Sequence, residues 1–261
     1  MSLSMANGAS GATFFQEALD VVTHNIASME RAGFREEFLV GVSNNYVQEK
    51  GAGSLSSTNG NIVPAGIQKG QGVRAVAVVS KLAQGRLNRT DNPYHIAIQG
   101  KGFFQIEMPD GTLSYTRDGT FAVNAERNLV TQMGYVVAPA ITVPENAEYI
   151  TINRSGKVQA KIAGQNAMQD VGDMEIVTFA NEEGLQKIED NLLLATDASG
   201  VPTTGIPAQD SRGHLLQGHY EASNVDMVSQ VTKLIKIQRA YEMNIKSIKT
   251  ENELLSGLNN I

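Results

Sequence analysis

The chain has 261 residues, of which 41% are hydrophobic, and a formal net charge of −6. This acidic balance, without any Lys/Arg run, argues against a nucleic-acid or anionic-membrane partner. The sequence contains no Cys, so it has neither a disulfide framework nor a thiolate site. No apolar stretch approaches the roughly 20 residues that a membrane span needs, and we expect no membrane insertion.

An amphipathic helix is predicted over residues 10–32, near the N-terminus. Its apolar residues recur at steps of four and three along one face, and Gly33 stands where a left-handed C-cap is favourable. Gly8 and Gly11 weaken the beginning of this helix by about 1 kcal/mol each relative to Ala. The predicted stripe consists of Phe15, Leu19, Val22, Ile26 and Met29.

Residues 34–72 differ in composition from the helix before them. From Gly41 to Gly72 there are seven glycines, several Ser and Asn, and only scattered apolar residues, so the segment cannot bury enough surface to fold alone. Two interpretations remain open, a flexible linker and an extended Gly/Ser-rich arm that becomes ordered against a neighbouring molecule.

Residues 73–222 are predicted to form an antiparallel β domain. Short runs rich in β-branched and aromatic residues are separated by turn sequences such as Pro109-Asp110-Gly111 and Ser155-Gly156. No helical pattern alternates with these strands, which argues against an α/β fold.

Residues 223–261 are predicted to form a second long helix with a seven-residue repeat. Two seam positions, Gln238 and Asn252, are polar and would set the register at some cost in stability. The apolar seam consists of Met227, Val231, Leu234, Tyr241, Ile245, Ile248 and Leu255.

Two terminal stripes therefore require burial. They either pair as a hairpin within one chain, or copies of both helices form a bundle between molecules. The predicted fold is α+β, with long N- and C-terminal α-helices that form a coiled-coil-like terminal domain, and with a central, mainly antiparallel β domain. The corresponding domains are residues 1–33, 34–72, 73–222 and 223–261.

Residues that could support catalysis are few. The four His residues are scattered through the sequence, without the spacing of a zinc helix or a catalytic dyad. The Gly100-Lys101-Gly102 sequence lacks the third glycine of a dinucleotide loop. We therefore expect no enzyme activity and no cofactor, although a β-rich carbohydrate-active or carbohydrate-binding protein remains a remote alternative.

Several segments resemble the axial proteins of the bacterial flagellum, the family of rod and hook subunits. DVVTHNIASMERAGFR resembles the N-terminal signature, SNVDMVSQVTKLIKIQRAYEMNIKSIKT the C-terminal one, and IAIQGKGFFQI and LVTQMGY parts of the β domain. The signature residues are Asn25, Gly33, Phe34, Ser223, Asn224, Val225, Gln238, Arg239, Ala240, Tyr241 and Glu242.

Within this family the chain is most similar to the distal-rod members, because it lacks the large insertion of the hook and has an arm of about the distal-rod length. The resemblance implies a homo-oligomeric subunit of a straight hollow shaft that transmits torque from motor to hook. Implied partners are the proximal rod proteins, hook protein, P-ring and L-ring proteins, rod cap and type III export apparatus.

The resemblance also implies a location in the basal body, spanning the periplasm. No Lys or Arg precedes Arg31, and secretory signal peptides begin with a basic region. We therefore expect export without cleavage of a signal peptide. A hook or proximal rod subunit is the alternative within the family.

Overall fold

The structure, a computed structural model, describes residues 3–53, 65–164 and 167–259. The chain divides into two compact units. We call residues 1–27, 37–79 and 226–261 the helical unit, and residues 28–36 and 80–225 the β unit. The prediction of an α+β fold with a helix near each terminus and central antiparallel sheets is confirmed. Residues 54–64 of the predicted arm lie outside the described residues.

The helical unit contains α1 (Leu3–Ala27) and α2 (Met227–Asn259). Helix α1 begins near Leu3 instead of Ser10, because the two glycines that weaken it lie close to α2. It ends at Ala27, where a turn follows in which Arg31 N donates to Ser28 O (3.1 Å). The side chain of Asp226 accepts a hydrogen bond from Ser229 N (2.9 Å), which caps the start of α2.

Four strands complete the helical unit: β1 (Glu37–Ser43), β2 (Tyr46–Lys50), β3 (Ile67–Gly70) and β4 (Val73–Ser80). Strand β1 pairs with β4 and β2 pairs with β3, so the segment expected as an arm includes three strands. Near its N-terminus, helix α1 is tied to these strands by hydrogen bonds from Asn7 Nδ2 to Gly70 O (3.0 Å) and from Val73 N to Ser10 Oγ (3.4 Å).

The β unit contains short strands, and the register described between named strands is antiparallel throughout. Its strands are β5 (Leu87–Arg89), β6 (Ile96–Gln99), β7 (Phe104–Glu107), β8 (Leu113–Thr116), β9 (Ala122–Val123), β10 (Leu129–Val130), β11 (Val136–Ala138), β12 (Ala147–Ile152), β13 (Lys157–Ile162), β14 (Met168–Asp173), β15 (Ile176–Thr178), β16 (Gln186–Lys187), β17 (Leu193–Leu194), β18 (Thr203–Gly205), β19 (His214–Gln217) and β20 (His219–Glu221).

The largest sheet has the strand order β16-β17-β8-β7-β11-β10-β9, and a second sheet has the order β12-β13-β14. The larger of two apolar clusters in the unit includes Ile96, Phe104, Ile106, Phe121 and Leu215, each at most 1% exposed. The rings of Phe104 and Phe121 meet edge to face with centroids 5.0 Å apart. The β unit thus has a large apolar core of its own.

Candidate assembly surface

Helices α1 and α2 pack against each other within one chain, in antiparallel register. Ser4 Oγ hydrogen-bonds to the Glu251 carboxylate, Gly8 lies against Ile248, and Gly11 lies against Asn244. As the residue number rises on α1 it falls on α2, which defines the antiparallel direction. The contact between α1 and α2 within one chain is therefore the helical hairpin that was one of the two alternatives left open by the sequence.

Small residues on α1 make the close approach possible. A Cβ added to Gly8 would lie 2.9 Å from Ile248 Cγ1, and one added to Gly11 would lie 2.8 Å from Asn244 Oδ1. Ala12 and Ala18 are also buried on α1. The glycines that weaken α1 by propensity are thus the residues that allow α2 to approach.

The packed face of α2 is displaced by one residue from most of the predicted seam. A row of buried or half-buried residues recurs on it at steps of four and three, namely Gln230, Leu234, Ile237, Tyr241, Asn244, Ile248 and Glu251, and Ala240 and Ile245 beside this row are also half-buried. Of the predicted seam, Leu234, Tyr241 and Ile248 lie on this face. Sequence reasoning missed the other members because most are polar, and only the glycine and alanine spacing on α1 signalled a helix contact.

The remaining predicted seam residues divide by exposure. Met227, Val231, Gln238, Asn252 and Leu255 are exposed, and Ile245 is half-buried. On α1, Val22 is buried and Phe15, Leu19 and Ile26 are half-buried. Met29 lies beyond the end of α1 and within the β unit, so its inclusion in the α1 stripe was wrong. The helix stops two residues before it.

One side of α2 presents an apolar patch to solvent. Met227, Val228, Val231 and Ile235 follow each other at helical spacing and are 54%, 74%, 39% and 52% exposed, respectively. We call these four residues the α2 patch. If another molecule covered the α2 patch, each side chain would contribute about 1 kcal/mol to the free energy of association, because roughly half of its surface remains to be buried.

The strands of the helical unit also expose apolar side chains. Phe14 of α1 packs on Gly41, where an added Cβ would lie 2.6 Å from its ring. The large apolar residues that these strands expose are Phe38, Val42, Tyr46, Val47, Ile67, Val76 and Val78. A two-stranded ribbon of this kind is only marginally stable alone.

The two units therefore differ sharply in burial. Among the residues that the structure describes, the buried apolar residues of the helical unit are Ala12, Ala18 and Val22, whereas the β unit contains the entire large apolar core. An apolar surface of this extent marks an interaction site. It is the candidate functional site of the chain.

Residues of the N-terminal signature organise the chain after α1. In the helical unit, buried Asn25 donates from Nδ2 to Glu37 O (2.7 Å) and accepts from Glu37 N at Oδ1 (2.9 Å). In the β unit, Gly33 has φ +69°, and an added Cβ would lie 2.7 Å from the backbone of Arg117. Gly33 thus combines a left-handed conformation with a close backbone approach, and Phe34 beside it is buried.

Residues of the C-terminal signature fall in two places. Ser223 and Asn224 belong to the β unit, where Ser223 Oγ accepts from Val225 N (3.2 Å). Gln238, Arg239, Ala240, Tyr241 and Glu242 lie in α2. Of these five, Tyr241 is on the packed face, and Arg239 forms an exposed ion pair with Glu242 at 3.6 Å.

Titratable groups do not converge on a metal site in the described part of the chain, where no cluster of three or more His, Asp or Glu could hold an ion. Nor is any helix in that part both long enough and apolar enough to cross a bilayer. The strongest buried electrostatic feature is the guanidinium of Arg117. Burial lowers its pKa to about 10, and the nearby Glu221 carboxylate acts in the opposite direction. This guanidinium stays charged at neutral pH.

A β unit with its own apolar core, joined to a helical unit with exposed apolar surface, is typical of structural subunits that assemble with partners. Comparison with known sequences identifies the family of structural subunits to which the chain belongs. A family model described as flagellar hook protein FlgE/F/G D1 domain matches residues 97–160, and one described as flagellar basal body rod FlgEFG protein C-terminal matches residues 216–261.

Relatives match over almost the full length. The flagellar basal-body rod protein FlgG of Caulobacter vibrioides is 45% identical over 254 residues, 97% of each chain, and that of Agrobacterium fabrum is 42% identical over 253 residues, again 97% of each. The flagellar basal-body rod protein FlgF of Caulobacter vibrioides is 34% identical over 240 residues, 90% of this chain and 88% of the relative. The chain belongs to the flagellar basal-body rod protein family, which is a family of structural proteins and not of enzymes.

Proposed function

We propose that this protein is a structural subunit of the distal rod of the bacterial flagellum. Copies stack helically into a straight hollow shaft that transmits torque from the motor to the hook. The observation that carries the proposal is the exposed apolar surface of the helical unit, which neighbouring copies would cover. Folding of that unit is completed by assembly.

The distal assignment is supported by relatives from a single organism. The chain shares 45% identity with FlgG of Caulobacter vibrioides and 34% with FlgF of the same species, and a distal rod subunit fits FlgG. A hook or proximal rod subunit of the same family is the second candidate. Membership of a family of structural proteins argues against the alternative of a carbohydrate-active protein.

Within the shaft, we assign the terminal segments 1–33 and 223–261 to a coiled-coil-like inner domain. The antiparallel α1–α2 contact with its seven-residue period supports this assignment. Residues 73–222 form the outer β domain, and residues 34–72 form the arm that reaches neighbouring copies. The predicted seam residues left exposed by α1 face other subunits, namely Met227, Val231, Gln238, Asn252 and Leu255.

The location and partners follow from the same family. We place the subunit in the part of the basal body that spans the periplasm. There it would meet proximal rod proteins below, hook protein above, and the P-ring and L-ring proteins around it. The rod cap and the type III export apparatus would act during assembly.

The proposal is tested with Val231→Asp, which places a charge at the centre of the α2 patch. We expect the purified monomer to keep its helix content in circular dichroism, because Val231 does not lie on the face packed against α1. Cells that carry only this variant should lack rods in isolated basal bodies viewed by electron microscopy.

Thr232→Asp is the matched control, because Thr232 is the next residue of α2 and is also exposed, but lies outside the patch. It should assemble. Normal rods from Val231→Asp would refute the assignment of the patch to a subunit interface. Failure of the wild-type gene to restore rods in a strain lacking its own distal-rod gene would refute the function itself.

A further inference from the structure

The chain passes between the two units at four positions, 27/28, 36/37, 79/80 and 225/226. On the β-unit side, these positions belong to three short segments, residues 28–36, 80–85 and 221–225. All three segments are hydrogen-bonded to one another within the β unit. We call this cluster the joint.

Asn224 connects all three segments with one side chain. Its Oδ1 accepts from Glu36 N (2.6 Å), and its Nδ2 donates to Lys81 O (2.9 Å) and to Ala83 O (2.7 Å). A carboxamide offers an acceptor and two donors on one short stem. Asp or Ser could not make the same three bonds.

Glu221 makes a second set of links in the joint and is 1% exposed. Its Oε1 lies 2.7 Å from Arg35 Nη1 and accepts from Gly85 N (2.9 Å). Its backbone carbonyl accepts from Gly33 N (2.7 Å). Each of these partners belongs to one of the two other segments, so Glu221 repeats the function of Asn224 through different atoms.

The Glu221 carboxylate is also fixed from the side of the sheet core. Arg117 Nε lies 3.3 Å from Glu221 Oε2, and the same guanidinium donates to Gly102 O and Gly100 O, both at 2.7 Å. A buried ion cluster of this kind adds little net stability against an apolar replacement, but breaking it leaves a buried charge unpaired. Such clusters serve a defined geometry better than stability.

We propose that Asn224 and Glu221 are positioning residues that hold the three connecting segments as one rigid joint. In the proposed rod, torque that reaches the helical unit would pass to the β unit at least partly through these chain connections, so a joint that opens would transmit less of it. This last step rests on the proposed function. The cooperative joint itself stands on the hydrogen bonds alone.

The test compares Asn224→Ala with Asn153→Ala in the full-length monomer. Asn153 also makes three side-chain hydrogen bonds, from Ser155 N, Ser155 Oγ and Lys157 N, but it lies in a β-hairpin turn away from the joint. Amide hydrogen exchange is measured for both variants. Asn224→Asp, which retains the size and the acceptor, serves if the alanine variant does not fold.

Asn224→Ala should accelerate exchange at least tenfold at Glu36, whose amide donates to Asn224 Oδ1, and at Lys81, whose amide donates to Glu36 O. It should also accelerate exchange at Gly33 and Gly85, whose amides donate to Glu221. Amides of β6 and β7 should be unchanged. Asn153→Ala should leave all four joint amides unchanged. Acceleration confined to Glu36 and Lys81, or spread evenly over the β unit, would overturn the proposal of a cooperative joint.

The Asn224→Asp variant, whose amide exchange is measured in the same way, tests the mechanical consequence in cells. Asn224→Asp should yield rods in normal number, yet reduce swimming speed at high viscosity about twofold relative to Asn153→Ala. Normal speed together with an opened joint would overturn the mechanical function of the joint while leaving the rod assignment intact. Absence of rods even with the wild-type chain would instead refute the proposed function.

Discussion

At the scale of single residues, glycines decide how closely the two helices pack. A glycine inside a helix costs about 1 kcal/mol relative to alanine, and α1 contains two of them within four residues. Both face α2 at distances that leave no room for a Cβ. The propensity cost is therefore offset by the closer helix contact.

We predict that Gly8→Leu destabilises the helical unit by about 1–3 kcal/mol, the usual cost of overpacking. Thermal unfolding followed by circular dichroism would measure it. Gly257→Leu is the matched control, because nothing lies within 4 Å of an added Cβ there, and it should stabilise α2 slightly. Ile248→Ala should recover part of the loss in the double variant, and strictly additive effects would contradict the proposed contact.

At the scale of elements, β14 is a strand that forms by pairing with its neighbour although its sequence lacks the alternating apolar pattern of a strand. Its sequence MQDVGD has no apolar alternation and was not predicted as a strand. It pairs with β13 across five residue positions, supported by an ion pair between Lys157 Nζ and Asp170 Oδ2 at 2.7 Å. The cross-strand charge pair adds to the contact of Val171, which packs against the apolar core.

The hydrogen bond from Lys157 lowers the pKa of Asp170 below 3.8, with further help from Gln159. A lowered folded-state pKa means that the pair stabilises the fold above pH 3.8, and that this contribution is lost as pH falls through the folded-state value. We predict that Lys157→Met raises the pKa of Asp170 toward 3.8 in an NMR titration of the carboxyl carbon.

Lys161→Met is the control for this titration, because Lys161 lies on the same strand but pairs with Glu148 at 3.4 Å. It should leave the pKa of Asp170 unchanged. An Asp170 that titrates alike in the wild type and in Lys157→Met would show that the cross-strand pair does not form in solution.

At the scale of the whole molecule, the two units bury apolar surface very unequally. Regions with few buried apolar contacts open at low free-energy cost, whereas core strands open only on global unfolding. We predict that in dilute monomer the amides of α2 exchange at least a hundredfold faster than those of β6 and β7. In assembled rods this difference should shrink, and equal protection in the monomer would contradict a unit completed by neighbours.

The sequence alone determined the order of elements, because helical and strand periodicities are local. The runs YHIAI, GFFQIEM and KVQAKI contain the strands β6, β7 and β13, and the seven-residue repeat marks α2 almost to its ends. The terminal signatures also indicated the flagellar family, because each is a contiguous run of residues. The elements missed include the strands β1, β2, β3 and β14 and the start of α1, since polar residues and glycines weaken the local pattern.

The tertiary structure decided which faces pair and which remain open. Local periodicity predicts that α2 has an apolar face. The face that packs against α1 differs from most of the predicted seam by one residue. Only the contacts of Gly8 and Gly11 with α2 decide which of the two faces is packed. It also brought Gly33, Glu36, Glu221 and Asn224 together from distant parts of the chain. Hydrogen bonds over such separations leave no periodic trace, because they depend on how the whole chain folds.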